Sequence, residues 1–294
     1  MSDDGRYAVT LIALLGSVFS PYYAAARGRG PAEPLAHCAM NVALYGAGPT
    51  EDRWALTERG CDVVTRGPHA LGIGPSSMEW TGSDLRVRFD ETTSPFPSPF
   101  PSRLAGVVRL TPLGPTPLPV MLDAAGRHVW APIAPLARAE VELSHPRLRF
   151  SGSGYMDANV GDEPLEEAFT GWSWARAAAP REVAVAYDVE RRDGSRLLLA
   201  RSFDESGKAR ELPTVAPRPL GRTGWGMQRS LPVDAGTSPR LLRTLEDTPF
   251  YARSLAEGTL GGQRAAVVHE QLSLDRFRQS WVRFLLPFRM RRSA

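Results

Sequence analysis

The chain has 294 residues, of which 43% are hydrophobic and 23% are charged. These proportions are typical of globular proteins, so they exclude extensive disorder and allow one large domain or two smaller ones. The formal net charge is only +3, and Lys208 is the only lysine among many arginines. Because this small charge is spread along the chain, the composition argues against a nucleic-acid partner.

Short extended segments dominate the chain. With 27 glycines and 26 prolines, long helices have little room, and apolar runs between turn residues predict buried strands. Many closely spaced strands favour an all-β fold of barrels or sandwiches. The predicted strands include Val9–Ile12, Met40–Tyr45, Leu85–Phe89, Val107–Leu110, Ala139–Leu143, Val183–Val189, Leu197–Arg201, Arg240–Leu245 and Ala265–Leu272.

The strand spacing also predicts two domains. About eight candidate strands lie between Trp172 and Leu272, enough for one small barrel, and the turn sequence Arg191–Gly194 predicts a hairpin within it. We therefore predict a boundary near residue 168. Residues 1–168 would form an N-terminal β domain, and residues 169–294 a C-terminal β-barrel domain that carries a terminal helix.

The last thirty residues predict this helix. Ser273 is a candidate N-cap, Asp275 lies in the first turn, and Pro287 ends the pattern. Apolar residues at helical spacing form a stripe along this helix, with arginines around it. This pattern predicts either a helix packed on the β domain with a solvated basic face or a helix that lies on a membrane surface. The apolar residues at helical spacing, surrounded by arginines, are Leu274, Phe277, Trp281, Phe284 and Leu285.

The segment Gly152–Glu166 combines glycines and carboxylates, and aromatic residues lie close by. Because glycine permits tight turns, the pattern predicts a turn that aims its side chains at one point. An acid beside aromatic rings is suited to protonating an apolar substrate and stabilising the resulting cation. Alternatively, Asp157 binds backbone groups in a turn and the aromatic residues belong to the core. The candidates are Tyr155, Asp157, Glu163, Glu166, Trp172 and Trp174.

Two other segments carry candidate site residues. Glu246 and Asp247 end a predicted strand and are followed by Phe250 and Tyr251, which repeats the combination of acid and aromatic residues. In the segment 37–45, His37 and Asn41 share one strand face, which predicts polar groups that line a cavity. The alternative for His37 is a partly buried histidine with a structural hydrogen bond.

The sequence lacks the common catalytic and metal-binding motifs. It has no nucleophile elbow, phosphate loop, dinucleotide fingerprint or zinc-protease motif, and its five histidines are scattered. Cys38 and Cys61 do not have metal-ligand spacing, and two reduced thiols are favoured over a disulfide. The sequence therefore predicts neither a cofactor nor a metal.

Several long segments resemble the carotenoid 1,2-hydratases, also called hydroxyneurosporene synthases. The resemblance implies two lipocalin-like (calycin-type) domains and a hydro-lyase that adds water to the terminal C1=C2 bond of acyclic carotenoids such as neurosporene or lycopene. It also implies purple-bacterial pathways towards spheroidene or spirilloxanthin. The segments are 17–23 (SVFSPYY), 37–46 (HCAMNVALYG), 154–166, 245–251 (LEDTPFY) and 269–277 (HEQLSLDRF), within a match from about residue 7 to residue 290.

Both the residues and the resemblance predict acid catalysis without a cofactor. Hydration of a trisubstituted alkene begins with protonation, and water then captures the tertiary cation. A carboxylic acid kept neutral by burial is the expected donor; we predict Asp247, with Asp157 as the second candidate. The residues expected to bind the substrate, the cation or the water are Tyr155, Trp172, Trp174, Phe250, Tyr251, His37 and Asn41.

Two other functions stay open at this point. Lipocalin-like barrels also carry apolar ligands unchanged, and a cyclase of related fold would capture the same cation with carbon. The predicted partners are the carotenoid and water. The predicted location is the cytoplasm, and peripheral attachment to the inner membrane is an alternative.

Overall fold

The structure is a computed structural model that describes residues 1–94 and 100–293. Strands dominate these residues, and the helices are short. The helices are α1 (Pro21–Arg29), α2 (Leu165–Ala168), α3 (Leu274–Phe277) and α4 (Ser280–Leu285), with 3-10 turns at Pro34–His37, Pro49–Glu51, Cys61–Val63 and Leu286–Phe288. The strands are β1 (Ala8–Leu14), β2 (Cys38–Tyr45), β3 (Arg53–Arg59), β4 (Val64–Arg66), β5 (Ala70–Ile73), β6 (Ser76–Trp80), β7 (Leu85–Thr92), β8 (Arg103–Pro112), β9 (Val120–Met121), β10 (His128–His145), β11 (Leu148–Gly161), β12 (Phe169–Ala178), β13 (Glu182–Arg191), β14 (Arg196–Asp204), β15 (Ala209–Glu211), β16 (Val215–Arg222), β17 (Gln228–Asp234), β18 (Arg240–Asp247), β19 (Tyr251–Leu260), β20 (Gln263–Ser273) and β21 (Arg291–Arg292).

Within the described residues these strands form four sheets. One has the order β1-β2-β3-β21, and a larger one has the order β11-β10-β8-β7-β6-β5-β4, with β9 paired to β10. The third has the order β15-β14-β13-β12-β20-β19-β18, and the fourth is the pair β16-β17. The pairings are antiparallel except that β21 runs parallel to β3. All nine predicted strands lie within observed ones.

The chain divides into two compact units that are discontinuous in sequence. Unit 1 contains residues 1–112, 137–154 and those from 283 onward, and unit 2 contains residues 113–136 and 155–282. Both β10 and β11 contribute residues to each unit. A contiguous boundary near residue 168 is a different division of the chain and stays a prediction. In unit 1, Cys38 is buried and Cys61 is exposed, and both are free thiols.

Unit 2 contains the hairpin that the sequence predicted. The strands β13 and β14 pair from Glu182 with Asp204 to Glu190 with Arg196, and Gly194 takes a positive φ of 84° in the turn. All residues of β13 from Val183 to Val189 are buried, and this strand lies inside its sheet, between β12 and β14. The core of this unit contains Ala175, Ala177, Ala184, Ala186, Ala200, Leu212, Val215, Leu220, Leu231, Val233, Ala256, Leu260 and Val267.

The glycine-rich segment is a strand, so the predicted turn is wrong up to Gly161. Residues Leu148–Gly161 form β11, and Gly152, Gly154 and Gly161 do not have positive φ. These glycines make room for close neighbours: a Cβ at Gly152 would overlap the carbonyl oxygen of Met1, and one at Gly154 would overlap the side chain of Leu110. The alternation of a strand therefore places Tyr155 and Asp157 on one face.

The predicted C-terminal helix is present but broken. The Oγ atom of Ser273 accepts a hydrogen bond from the backbone N–H of Arg276 at 3.4 Å, as expected for the N-cap of α3. The chain then forms α4 and a 3-10 turn before β21. Leu274 and Phe277 are buried, whereas Trp281 and Phe284 are exposed, so the apolar stripe does not continue as one buried face. None of the helices in the described ranges is long and apolar enough to cross a membrane.

Candidate active site

The carboxyl group of Asp157 is the centre of the candidate site in unit 2. The indole Nε1–H of Trp130 and the hydroxyl of Tyr155 each donate a hydrogen bond of 2.8 Å to the same oxygen, Oδ2. Trp130 lies on β10, and the other two residues lie on β11, which pairs with it. Asp157 is half-buried as a residue, and the protein around its carboxyl group is dense enough for burial to dominate its pKa.

Aromatic side chains surround this carboxyl group. The ring centroids of Tyr155 and Trp174 are 5.4 Å apart, and those of Trp130 and Tyr187 are 5.3 Å apart. Trp174 and Tyr187 are directly opposite each other on β12 and β13, so they point to the same side of their sheet. The hydroxyl of Tyr187 also lies 3.3 Å from the side-chain oxygen of Asn159. The four rings give the acid an apolar, π-rich surrounding.

Burial changes the pKa values in this group. It raises the pKa of Asp157 to about 6, although the hydrogen bonds from Trp130 and Tyr155 favour the charged form and oppose the rise. Burial also raises the pKa values of Tyr155 and Tyr187, so both hydroxyls stay protonated and able to donate. The Arg176 guanidinium lies 5.3 Å from the Tyr155 ring centroid, and burial lowers its pKa to about 10.

Asp247, the first predicted proton donor, lies elsewhere in unit 2. It ends β18, and its Oδ2 atom accepts a hydrogen bond of 2.5 Å from the backbone N–H of Gly224. The positive charge of Arg229 is close enough to interact with it. The backbone of Gly224 and the guanidinium of Arg229 are thus partners of this carboxyl group. Acidic residues at turns often bind backbone groups in this way, and the role of Asp247 as proton donor stays a prediction.

Two other acids are held in ion pairs. The Oε1 atom of Glu246 is 2.8 Å from Nη1 of the buried Arg253, and the same guanidinium contacts Glu270. The Oε2 atom of Glu163 is 2.6 Å from Nη1 of Arg127. Both carboxylates are therefore engaged in charge-assisted contacts with arginines.

The aromatic residues predicted to bind the substrate do not all lie at the same place in the structure. Tyr155 binds Asp157, and Trp174 packs against Tyr155. The ring of Trp172 packs against Phe169 at 5.9 Å, and the ring of Phe250 packs against Phe277 at 5.1 Å. Tyr251 lies under the guanidinium of Arg253, which is 5.6 Å from its centroid. Contacts of Trp172, Phe250 and Tyr251 with a substrate stay predictions.

His37 and Asn41 belong to unit 1, where both make internal contacts. The Nδ1 atom of His37 is 3.0 Å from Oε1 of the buried Glu58, and Asn41 Nδ2 donates to the carbonyl oxygen of Ala55 at 2.8 Å. The side-chain hydrogen bond of His37 matches the structural alternative. Their roles in binding substrate or water stay predictions.

Sequence reasoning missed three residues of the site. Trp130 belongs to the alternating buried pattern at the start of β10, and Tyr187 lies in a strand that was predicted only as a hairpin arm. Arg176 follows Trp174 on the same face of β12. Strand alternation predicts that these side chains point inward, but only the pairing between strands shows that they meet Asp157.

The fold and this site define an antiparallel β protein with an enclosed acid among aromatic rings. A solved structure described as a putative AttH from Nitrosomonas europaea has a similar fold, with a TM-score of 0.56, 15% identity and 81% of each chain covered. The predicted all-β, lipocalin-like fold class with a short C-terminal helix is confirmed.

The family model described as "Carotenoid hydratase CrtC" matches residues 11–294, and the chain belongs to this family. The acyclic carotenoid 1,2-hydratase of Thiocapsa roseopersicina is 49% identical to it over 99% of this chain and 71% of the relative. The enzyme of the same name from Rubrivivax gelatinosus is 46% identical over 100% of this chain and 72% of the relative. The resemblance that the sequence motifs indicated is thereby confirmed.

Proposed function

We propose that this protein is a hydro-lyase that adds water to the terminal C1=C2 double bond of an acyclic carotenoid and gives a tertiary alcohol. The family membership and the names of its relatives support the substrate class. The observation that carries the chemistry is the enclosed Asp157 carboxyl group with a pKa raised to about 6 among aromatic rings.

In this proposal Asp157 is the proton donor. Trp130 and Tyr155 both bind Oδ2, which leaves Oδ1 to carry the proton to C2 of the alkene. As the proton leaves, negative charge develops on the carboxyl group. The two hydrogen bonds to Oδ2 then strengthen, so they stabilise the transition state more than the resting acid.

The aromatic rings and water complete the cycle. Protonation at C2 gives a tertiary cation at C1, and the faces of Tyr155 and Trp174 can each stabilise it by about 0.5–2 kcal/mol. Water adds to C1 through its oxygen and loses a proton. The Asp157 carboxylate accepts that proton, so the enzyme returns to its starting state and no redox partner is needed.

Product analysis tests the proposed function. The purified full chain is incubated anaerobically with lycopene in detergent micelles, and the extracted carotenoids are analysed by mass spectrometry. Hydration predicts a product heavier by one or two waters. Recovery of unchanged lycopene would instead indicate a carrier, and an isomer of equal mass would indicate a cyclase.

Paired variants test the donor. The Asp157→Asn variant should lose turnover by at least about 100-fold, because general acid catalysis typically contributes that much. The Asp247→Asn variant should keep most of its activity, because asparagine can still accept the hydrogen bond from Gly224. The reverse result would make Asp247 the donor and contradict this assignment.

We also propose that the C-terminal segment attaches the protein to a membrane surface. Phe284 on α4 and Phe288 in the following 3-10 turn are 69% and 62% exposed, with ring centroids 5.6 Å apart. Arg283 precedes the first ring and Arg289 follows the second. Exposed aromatic residues beside arginines suit the boundary between lipid headgroups and acyl chains, where an acyclic carotenoid would be stored.

A further inference from the structure

One row of side chains across the seven-stranded sheet connects the candidate site to a group of charged residues. Trp174 on β12 lies directly opposite Tyr187 on β13 and, on its other side, directly opposite Glu270 on β20. Glu270 in turn lies opposite Arg253 on β19, which lies opposite Glu246 on β18. Directly opposite residues of antiparallel strands point to the same side of their sheet. Glu270 therefore shares the face that carries two aromatic residues of the site.

One carboxylate oxygen of Glu270 is held, and the other is available. The Nε and Nη2 atoms of Arg253 contact Oε1 at 2.9 Å and 2.8 Å. Within the described residues Glu270 makes no other side-chain hydrogen bond or ion pair, so Oε2 can accept one. Arg253 is buried and fixes the carboxylate against the sheet. The Glu270 side chain is itself 24% exposed, so water can reach it.

The indole of Trp174 offers a hydrogen-bond donor on the neighbouring strand. Trp174 is 8% exposed, and its Nε1–H is buried without a partner in the part of the chain that the structure describes. Buried N–H groups are rarely left unpaired, and a bound water commonly satisfies them. The Cβ atoms of directly opposite residues lie about 4.5–5.5 Å apart. A single water can therefore accept from this indole and donate to Oε2 of Glu270.

Glu270 is also close enough to Asp157 for their charges to interact. Burial is the main cause of the raised pKa of Asp157, and the negative charge of Glu270 raises this pKa further. Burial likewise dominates the raised pKa of Tyr187, to which the charges of Asp157 and Glu270 both contribute. Glu270 therefore belongs to the surroundings of the acid.

We propose that Glu270 and the indole N–H of Trp174 bind the water that adds to the substrate cation. This inference rests on the proposed hydration and assigns a place to its second reactant. After Asp157 protonates C2, the water oxygen forms its bond to C1. One water proton passes to the Asp157 carboxylate, and the other stays on the new hydroxyl group and is donated to Oε2 of Glu270. The hydrogen bond to a carboxylate makes the water oxygen a better nucleophile.

Deuterium exchange separates protonation of the alkene from capture of the cation by water. The full chain and its variants are incubated anaerobically with lycopene in detergent micelles in D2O. Mass spectrometry then measures both the hydrated product and the deuterium in recovered lycopene. A cation that water does not capture loses a proton from C2 to the Asp157 carboxylate and returns to the alkene, which keeps the deuterium delivered by the acid.

The Glu270→Gln variant should hydrate lycopene at least about tenfold more slowly, because an amide is a weaker acceptor than a carboxylate. Its ratio of exchange to hydration should rise by about the same factor, since protonation continues. Trp174→Phe keeps an aromatic ring and loses the N–H donor, so it should change this ratio in the same direction. Glu246→Gln alters the other acid that contacts Arg253 and is the matched control, which should keep the wild-type ratio. Asp157→Asn should show neither hydration nor exchange.

The outcomes distinguish this inference from the proposed function. If Glu270→Gln folds and keeps the wild-type ratio, or if its hydration and exchange fall together, the inference is overturned while hydration by the wild type still stands. If Glu270→Gln does not fold, the ratio in Trp174→Phe decides in the same way. A wild type that gives no hydrated product would overturn the proposed function, and this inference with it.

Discussion

Two opposing effects act on the Asp157 carboxyl group. Burial favours the neutral acid, and the hydrogen bonds from Trp130 and Tyr155 favour the carboxylate. Burial is the larger effect, and the resulting pKa of about 6 lies close enough to neutrality for the group to give up and recover a proton. Alkene hydration requires a group that gives up a proton in the first step and recovers one in the last, and Asp157 can do both.

The raised pKa of Asp157 predicts how stability depends on pH. The folded protein holds this proton more tightly than the unfolded chain, whose carboxyl has the ordinary pKa of 3.8. Its contribution to the free energy of unfolding is therefore fully present below pH 3.8 and is lost as the pH rises to about 6. The shift corresponds to about 3 kcal/mol. Asparagine has no charge to bury and can still accept both hydrogen bonds.

The Asp157→Asn variant should therefore be more stable than the wild type at pH 7, by up to about 3 kcal/mol, and the difference should disappear near pH 4. Urea denaturation at four pH values between 4 and 7 measures this. The Glu167→Gln variant, altered at an exposed acid, should follow the wild type throughout. A variant that is less stable than the wild type at pH 7 would contradict the enclosed position of the carboxyl group.

Removal of the Tyr155 hydroxyl should change the pH dependence of catalysis. Its hydrogen bond lowers the pKa of Asp157, so Tyr155→Phe should raise that pKa further. The fall of kcat/KM with rising pH, which begins near pH 6 for an acid catalyst of this pKa, should therefore move to higher pH. The maximal rate should fall, because the developing carboxylate loses a donor. A lower rate with an unchanged pH profile would mean that Tyr155 acts on the substrate and not on Asp157.

At the level of elements, apolar patterns predicted the strands well because their burial is local in sequence. The run from Val183 to Val189 is buried, and Gly194 forms the turn after it, as their residue types indicate. Gly154 was interpreted as a turn residue, but its function is to make room for Leu110, a neighbour distant in sequence. A single sequence does not distinguish a glycine needed for positive φ from one needed for close packing.

Gly171, on the strand that carries Trp172 and Trp174, is another glycine needed for close packing. A Cβ at Gly171 on β12 would collide with the carbonyl oxygen of Leu272 on the paired strand β20. Gly171→Ala should therefore destabilise the protein by about 1–3 kcal/mol, measured by chemical denaturation. Gly28→Ala is the matched control: its Cβ would meet no atom within 4 Å in α1, so it should be neutral or stabilise by up to about 1 kcal/mol. Equal effects at both positions would show that β12 and β20 can separate without cost.

At the scale of the whole molecule, the division into units explains why the site was only partly predicted. Unit 2 contains residues 113–136 and 155–282, and the residues between these two ranges belong to unit 1. Trp130 and Asp157 therefore meet within unit 2, although a segment of unit 1 separates them in the sequence. Tyr155 and Trp174 lie close to Asp157 along the chain, so the sequence alone indicates them. Trp130 lies far from Asp157 in the sequence, and only the pairing of β10 with β11 shows that they meet.

The exposed rings of Phe284 and Phe288 predict how the protein binds the membrane proposed to hold its substrate. If Phe284 and Phe288 enter a membrane surface, replacing both with alanine should weaken binding to phosphatidylglycerol-containing vesicles at least fivefold, as measured by sedimentation. The reason is that moving each ring from water into the membrane is favourable by about 1 kcal/mol or more. Leu118→Ala, at a residue that is 85% exposed in unit 2, should leave sedimentation unchanged. Turnover of a carotenoid dispersed in detergent micelles should stay near the wild-type value in the double variant, while turnover of a carotenoid embedded in vesicles should fall with binding. Equal vesicle binding by all three proteins would show that these rings do not contact the membrane.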